Sequence, residues 1–226
     1  MNTLIKLSPS DLTFLWDECK RCFYLKYVNG ISRPSAPFPG IFGTIDRLMK
    51  NYFEGRPTSD LDSRLPAGHV RFGERWVESG PLPLPGHALQ AYLKGKFDTV
   101  VAFDDGTYGV VDFKTSEPKP SHVQFYGRQL HAYAYALQHP AAGKFSLSPI
   151  SKLGLLVVAP QAMEVTPSGQ IAYLGGVTWM EIPQDEAAFL GFLGQVIGLL
   201  EQSAPPDPGE NCLYCQYRAT ARESGL

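Results

Sequence analysis

The sequence predicts an α/β fold, with a central mixed β-sheet and helices on its faces. Three observations predict it. Helix-period and strand-period segments follow one another, with helices first, then strands, then helix and strand again. A length of 226 residues fits one well-filled core and leaves little room for two domains. A content of 44% hydrophobic and 19% charged residues is that of an ordinary globular chain.

The elements can be read in order. Residues 8–28 predict one helix. Ser8 or Ser10 can cap it, Pro9 suits its first turn, and Leu12, Leu15, Trp16, Cys19, Phe23 and Tyr27 form an apolar stripe. A Pro-rich connection from Arg33 to Pro39 leads to a second helix over Phe42–Phe53. Residues 56–87, rich in Pro and Gly, read as loops around one short element near His69–Glu78. Two strands follow, Leu89–Phe103 and Tyr108–Thr115, joined at Asp104-Asp105-Gly106. A helix over Ser121–Gln138 precedes strands at Leu153–Ala159 and Ile171–Ile182. A last helix over Gln184–Gln202 ends at the Pro-rich link Pro205-Pro206-Asp207-Pro208, before a terminal cysteine pair. Neither internal repeats nor low-complexity tracts interrupt this order.

The apolar stretches are far short of a membrane span, and Met1 to Pro9 lacks the basic-then-apolar build of a signal peptide. The expectation is a cytoplasmic protein with no membrane partner. A net charge of -2 gives no overall basic field, so any polyanion must be held by a local patch. Lys20, Arg21, Lys26, Lys119 and Arg128 are the candidates for such a patch. Phe23, Tyr24, Phe125, Tyr126, Tyr133 and Tyr135 are nearby rings on which bases of a single strand could stack, although helical aromatic stripes are more often core. His122 and His131 are assigned no role.

The chemistry centres on Lys94-Gly95-Lys96-Phe97-Asp98 and Val111-Asp112-Phe113-Lys114-Thr115. Asp112 and Lys114, two apart on a strand, share a face. A charged pair among Val110, Val111 and Phe113 is costly to bury without a purpose. With a three-residue loop, Asp104-Asp105-Gly106, Gly106 takes the left-handed position and Asp98 falls opposite Asp112. Their Cβ atoms would then lie about 5 Å apart. With a two-residue turn the two acids face opposite sides; the first register is the expected one. Carboxylates that close repel unless a cation separates them, and hard oxygen ligands favour Mg²⁺ or Mn²⁺. Such an ion would activate water at a phosphodiester, with Lys114 orienting it or neutralising developing charge. The competing reading is an exposed hairpin whose Asp and Lys are solvated charges.

The four cysteines form two pairs, Cys19/Cys22 and Cys212/Cys215, one near each end of the chain. In a reducing compartment this spacing points to metal binding or redox chemistry before structural disulfides. A single four-thiolate site requires the termini to meet, and would staple the first helix to the tail. Zn²⁺ and a [4Fe–4S] cluster both suit thiolates; reduced or disulfide-paired thiols are the other reading.

Gly95-Lys96-Phe97-Asp98, then Asp112-Phe113-Lys114, then Gln129-Leu130-His131-Ala132-Tyr133 resembles the RecB-like branch of the PD-(D/E)XK nucleases. That branch carries Gly-x-x-Asp, acidic-x-Lys and Gln-x-x-x-Tyr elements in this order. The Ser8-Pro9-Ser10 opening and the segment from Cys19 to Val28 are also similar to it, so the likeness covers most of the chain except residues 56–87. The resemblance implies a restriction-endonuclease-like central mixed sheet flanked by helices. It also implies one nuclease domain over residues 1–226, with residues 1–30 and 203–226 forming a cysteine subregion. By the same resemblance Asp98 and Asp112 ligate the metal, the Phe113 carbonyl is a third ligand, and Lys114 is catalytic. Gln129 and Tyr133, at i and i+4 of one helix, would line the site and touch DNA; the alternative is a helix-surface pair. Many members carry a metal-binding His in a Gly-x-x-His setting. This chain has Gly43-Thr44-Ile45-Asp46, so Asp46 either replaces that ligand or is a surface residue.

Relatives in the cysteine-containing branch, among them a CRISPR adaptation nuclease, hold a [4Fe–4S] cluster with one N-terminal and three C-terminal cysteines. Cys19, Cys212 and Cys215 match; the last C-terminal cysteine is absent, and Cys22 would supply the fourth thiolate. The implied function is a Mg²⁺- or Mn²⁺-dependent deoxyribonuclease, exonuclease-like on single strands or DNA ends. Its partners would be DNA and proteins of a repair, recombination or CRISPR adaptation complex. The alternative is a nuclease fold that has lost turnover and serves as a DNA-binding subunit.

Overall fold

The computed structural model describes residues 4–35 and 39–225. The Pro-rich connection read at Arg33–Pro39 therefore lies partly outside the described residues, as do the first three residues of the N-terminal segment. The chain begins with a strand that the sequence did not reveal, β1 (Leu4–Leu7), followed by α1 (Pro9–Glu18), α2 (Lys20–Asn29) and α3 (Gly40–Phe53). After a 3-10 turn at Thr58–Asp60 come β2 (Gly68–Phe72), β3 (Arg75–Glu78), β4 (Gln90–Phe97), β5 (Thr99–Phe103) and β6 (Tyr108–Thr115). The chain continues through α4 (Ser121–Gln138), β7 (Ile150–Val165), β8 (Ile171–Glu181), α5 (Glu186–Leu200) and α6 (Leu213–Glu223).

The expected α/β class is observed, but hydrogen bonding divides the strands into two ladders. A three-stranded ladder has the order β1-β4-β3, and a five-stranded one has the order β2-β5-β6-β7-β8. Both are mixed: β1 runs parallel to β4 and β6 parallel to β7, while the remaining pairs are antiparallel. The single strand expected over Leu89–Phe103 is broken at Asp98, where the chain leaves one ladder and enters the other. The helix expected over 8–28 is likewise two helices. Cys19 adopts an extended backbone (φ -166°), ending α1 and capping α2. Residues 56–87 hold two strands rather than one short element, and the terminal cysteine pair opens a further helix, α6.

The β5–β6 hairpin has the three-residue loop. Phe103 N–H donates to the Thr107 carbonyl at 2.9 Å, Gly106 N–H to the Phe103 carbonyl at 3.1 Å, and Gly106 sits at φ +85°, where a side chain would strain the backbone. Pairing then runs Ala102 with Tyr108 through Thr99 with Val111, and its continuation sets Asp98 opposite Asp112.

β6 lies inside the five-stranded ladder and is covered on both faces. Val111 and Phe113 pack with Met49 and Phe53 of α3 and with Val70, Val101, Leu156 and Trp179. Val110 belongs to the larger cluster that α1, α4 and α5 build through Leu12, Leu130, Leu137, Leu193 and Ile197. Each fully buried Phe or Leu in these clusters contributes roughly 1.5–3 kcal/mol. This packing holds β6 and α4 rigidly and leaves the alternate residues of β6 facing α4. β7 extends well past its expected end at Ala159. A register irregularity between Pro160 and Ala162 accommodates the proline, and the strand pairs on with β8 in an exposed hairpin arm.

Candidate functional site

β6 presents Asp112 toward α4, and Asp112 is only 3% exposed. The Lys114 ammonium, two residues along on the same face, forms an ion pair with Asp112 Oδ2 and lies 4.5 Å from the Tyr126 ring centroid. From α4, Gln129 Nε2 donates to Asp112 Oδ1 at 3.4 Å and to the Tyr133 hydroxyl at 3.2 Å. Gln129 and Tyr133 are both buried, so they are not a helix-surface pair. Gly95 of β4 lets this face close. A Cβ there would lie 2.8 Å from the Pro9 ring and 3.0 Å from the Tyr133 ring.

Asp98 sits at the break between the ladders. Its Oδ2 accepts from Phe113 N–H at 3.2 Å, and its Oδ1 faces Lys50 Nζ at 2.8 Å. Lys50 on α3 also lies 2.7 Å from Asp46 Oδ2 and 2.7 Å from Glu74 Oε1. Lys96 pairs with the other Glu74 oxygen. Asp46, Glu74 and Asp98 thus converge on one ammonium, beside the Asp112–Lys114 pair. Asp46 is a member of the acid cluster and not an isolated surface residue.

Electrostatics follow from burial. Loss of solvent pushes the Asp112 carboxyl up to about 7; Lys114 pulls it down and Asp98 adds to the rise. Burial works against the charge on Lys50, but hydrogen bonds to Asp46, Asp98 and Glu74 outweigh it and hold the ammonium above its ordinary range. Burial likewise acts against Lys114, and the attraction of Asp112 and Asp98 reverses the effect. Lys50, and then Lys96, hold Glu74 below the ordinary carboxylate range.

The residues fit a hard divalent ion. Gln129 Oε1 is buried without a hydrogen-bond donor, and among the described residues the only charge paired with Asp112 is the Lys114 ammonium on its Oδ2. A cation shared with Asp98 would return Asp112 to its anionic form. Phe113 enters the site through its backbone, between the two acids.

The four cysteines meet. All are buried, and their sulfurs lie within 4.8 Å of one another. Cys19 and Cys215 are 3.8 Å apart, Cys22 and Cys212 3.7 Å, and Cys22 and Cys215 3.6 Å, so no pair is bonded. Each Cys-x-x-Cys pair opens a helix: Cys19 is the N-cap of α2 and Cys212 the N-cap of α6. Cys22 N–H and Gly209 N–H donate to Cys19 Sγ at 3.5 and 3.3 Å, and Arg33 Nη2 donates to Cys212 Sγ at 3.3 Å. Helix N-termini and N–H donors stabilise thiolates. Burial acts to raise Cys19, yet the Cys22 and Gly209 N–H groups, with the Cys212 and Cys215 thiols, bring it down to about 6, whereas burial pushes Cys22 and Cys215 up.

The expected basic patch is largely spent inside the protein. Lys26 pairs with Asp11, Arg128 with Asp17, Arg21 donates to the Pro206 carbonyl, and Lys20 covers Trp16. Lys119 is exposed ahead of α4. Of the six candidate rings, Phe23, Tyr24, Tyr133 and Tyr135 are buried. Phe125 and Tyr126 remain partly accessible and pack edge-on against the exposed Phe14 at 5.2 and 5.8 Å. His131 is structural: it bonds the Gly127 carbonyl through Nδ1 at 2.7 Å and accepts Asp185 N–H at Nε2 at 2.9 Å.

Sequence reasoning missed Lys50 and Glu74. Lys50 stands four residues beyond Asp46 on a helix, a spacing that places the two together. Glu74 lies in the bend between β2 and β3, within the one short element expected near His69–Glu78, and nothing local marked it as a site residue.

Residues 63–220 match the model of the PD-(D/E)XK nuclease superfamily, and the chain belongs to that superfamily. Membership brings with it an expected phosphodiester-hydrolysing chemistry and divalent-metal use. Among solved structures, that of SSO0001 is similar over 95% of this chain and 84% of its own, with 18% identity and a TM-score of 0.47. No curated protein sequence matches the chain. Among the described residues, no helix is long and apolar enough to cross a membrane.

Proposed function

We propose that the protein is a Mg²⁺- or Mn²⁺-dependent deoxyribonuclease, exonuclease-like on single strands or DNA ends, with Asp98, Asp112 and Lys114 at its centre. The observation that carries the reading is the convergence of Asp98 and Asp112 from neighbouring strands, with Lys114 alongside. A bound divalent ion supplies Lewis acidity at the scissile phosphate and lowers the pKa of the attacking water. Asp98 and Asp112, with the Phe113 carbonyl, would hold that ion, and Asp46 is close enough to the acid cluster to contribute. Lys114, kept charged by its carboxylate neighbours, neutralises charge developing on the phosphate. Gln129 fixes the Asp112 carboxylate and Tyr133 fixes Gln129, so the acid cannot rotate away. Tyr126, next to Lys114, and the Phe14 and Phe125 rings packed against it offer stacking faces for an unpaired strand. A cytoplasmic role in repair, recombination or CRISPR adaptation, with protein partners, fits these features.

The test is cleavage of end-labelled single-stranded and duplex DNA with Mn²⁺, beside Asp112→Ala. Cleavage by the wild type with a loss of at least ~10²-fold in the variant is expected. Equal, negligible cleavage by both proteins removes the enzyme reading.

One observation favours a second reading, a DNA-holding subunit without turnover. The Lys50 ammonium lies at the convergence of three carboxylates, where it competes with a metal ion for their oxygens. That reading predicts DNA retention in EDTA by gel shift and no gain in Mn²⁺ affinity for Lys50→Met. The enzyme reading predicts tighter Mn²⁺ binding once the competing ammonium is removed.

A further inference from the structure

We infer that the four cysteines hold one tetrahedral zinc ion and not an iron–sulfur cluster. Four thiolates around a single ion, each about 2.3 Å from it, lie about 3.8 Å from one another. The observed separations of 3.6, 3.7 and 3.8 Å have that size, and the widest spread in the set is 4.8 Å. The thiolates of a [4Fe–4S] cube bind outside its corners, which spreads them to about 6 Å.

The surroundings hold the narrow spacing in place. In each pair the two thiols occupy the N-cap and the third position of a helix, so one turn of backbone brings both sulfurs to the same point. Moving Cys19 outward by the difference would break its bonds from Cys22 N–H and Gly209 N–H, which close the α1–α2 junction against the C-terminal segment. Part of the charge of a doubly negative four-thiolate zinc centre would be met by the Arg33 guanidinium, which bonds Cys212 Sγ, also pairs with Glu18, and stacks 4.8 Å from the Tyr214 ring centroid. No part of this depends on the nuclease reading.

The experiment uses the full chain, expressed with iron and zinc both supplied and purified anaerobically. Metal and acid-labile sulfide are counted, and the absorbance spectrum is recorded. One zinc per chain and no broad band near about 400 nm are expected. Apoprotein titrated with Co²⁺ should saturate at one equivalent, with intense visible bands of tetrahedral thiolate coordination between roughly 600 and 750 nm. Because zinc can occupy an emptied cluster site, the zinc-loaded protein is also incubated anaerobically with ferrous iron and sulfide. Retention of zinc supports the inference. Stoichiometric iron and sulfide, displacement of zinc by a cluster, octahedral cobalt spectra, or no metal bound would each overturn it.

Discussion

Asp112 is an acid in a setting that penalises its charge. With its folded carboxyl near 7 against an ordinary value of 3.8, the folded state binds the proton more tightly than the unfolded state. Its contribution to stability is therefore fully present below about pH 4 and is lost as pH rises through about 7. Thermal unfolding in EDTA from pH 5 to 8 should show the wild type losing stability relative to Asp112→Asn, by at most about 1.4 kcal/mol per pH unit. Saturating Mn²⁺ should flatten that slope, since the ion replaces the proton. A wild-type curve parallel to that of Asp112→Asn in EDTA would show that the acid is solvated. Asp98, Asp112 and Lys114 were legible because β-strand alternation and the glycine in the Asp104-Asp105-Gly106 loop together dictate their faces. Glu74 was not legible, since it reaches Lys50 only through tertiary placement of a bend with no pattern of its own.

At the scale of elements, the site depends on how closely α1 and α4 press on β4. Gly95→Ala would place a methyl group against the Pro9 ring, which is tied to its own backbone, and against the Tyr133 ring, which can yield only by turning within its buried setting. We expect a loss of about 1–3 kcal/mol in denaturant unfolding, with Mn²⁺-dependent cleavage falling further as Tyr133 releases Gln129. An unchanged midpoint and unchanged cleavage would mean that this contact is loose. The α4 boundaries and the β5–β6 hairpin were readable from periodicity and turn chemistry. The break at Asp98 was not, because a strand passing from one ladder to the next keeps its apolar alternation. The helix break at Cys19 was hidden in the same way, with the apolar stripe running on through it. β2 and β3 were obscured by the prolines and glycines around them.

The whole molecule is a sheet system whose two ends are tied at the cysteine centre, at the C-terminal end of the same α1 whose first residue, Pro9, packs against Gly95 beside the acid site. Stripping metal with a strong chelator should lower the melting temperature by roughly 5–15 °C and free the C-terminal segment to proteolysis. An unaltered melting temperature would leave the centre without a structural part. The acid site itself is most directly tested by crystals grown with Mn²⁺ and measured at a wavelength where manganese scatters anomalously. The account predicts a peak between Asp98 and Asp112, about 2.1 Å from an oxygen of each, with Lys50 displaced from Asp98. A map with no manganese there, and the Lys50 ammonium still held among Asp46, Glu74 and Asp98, would contradict it.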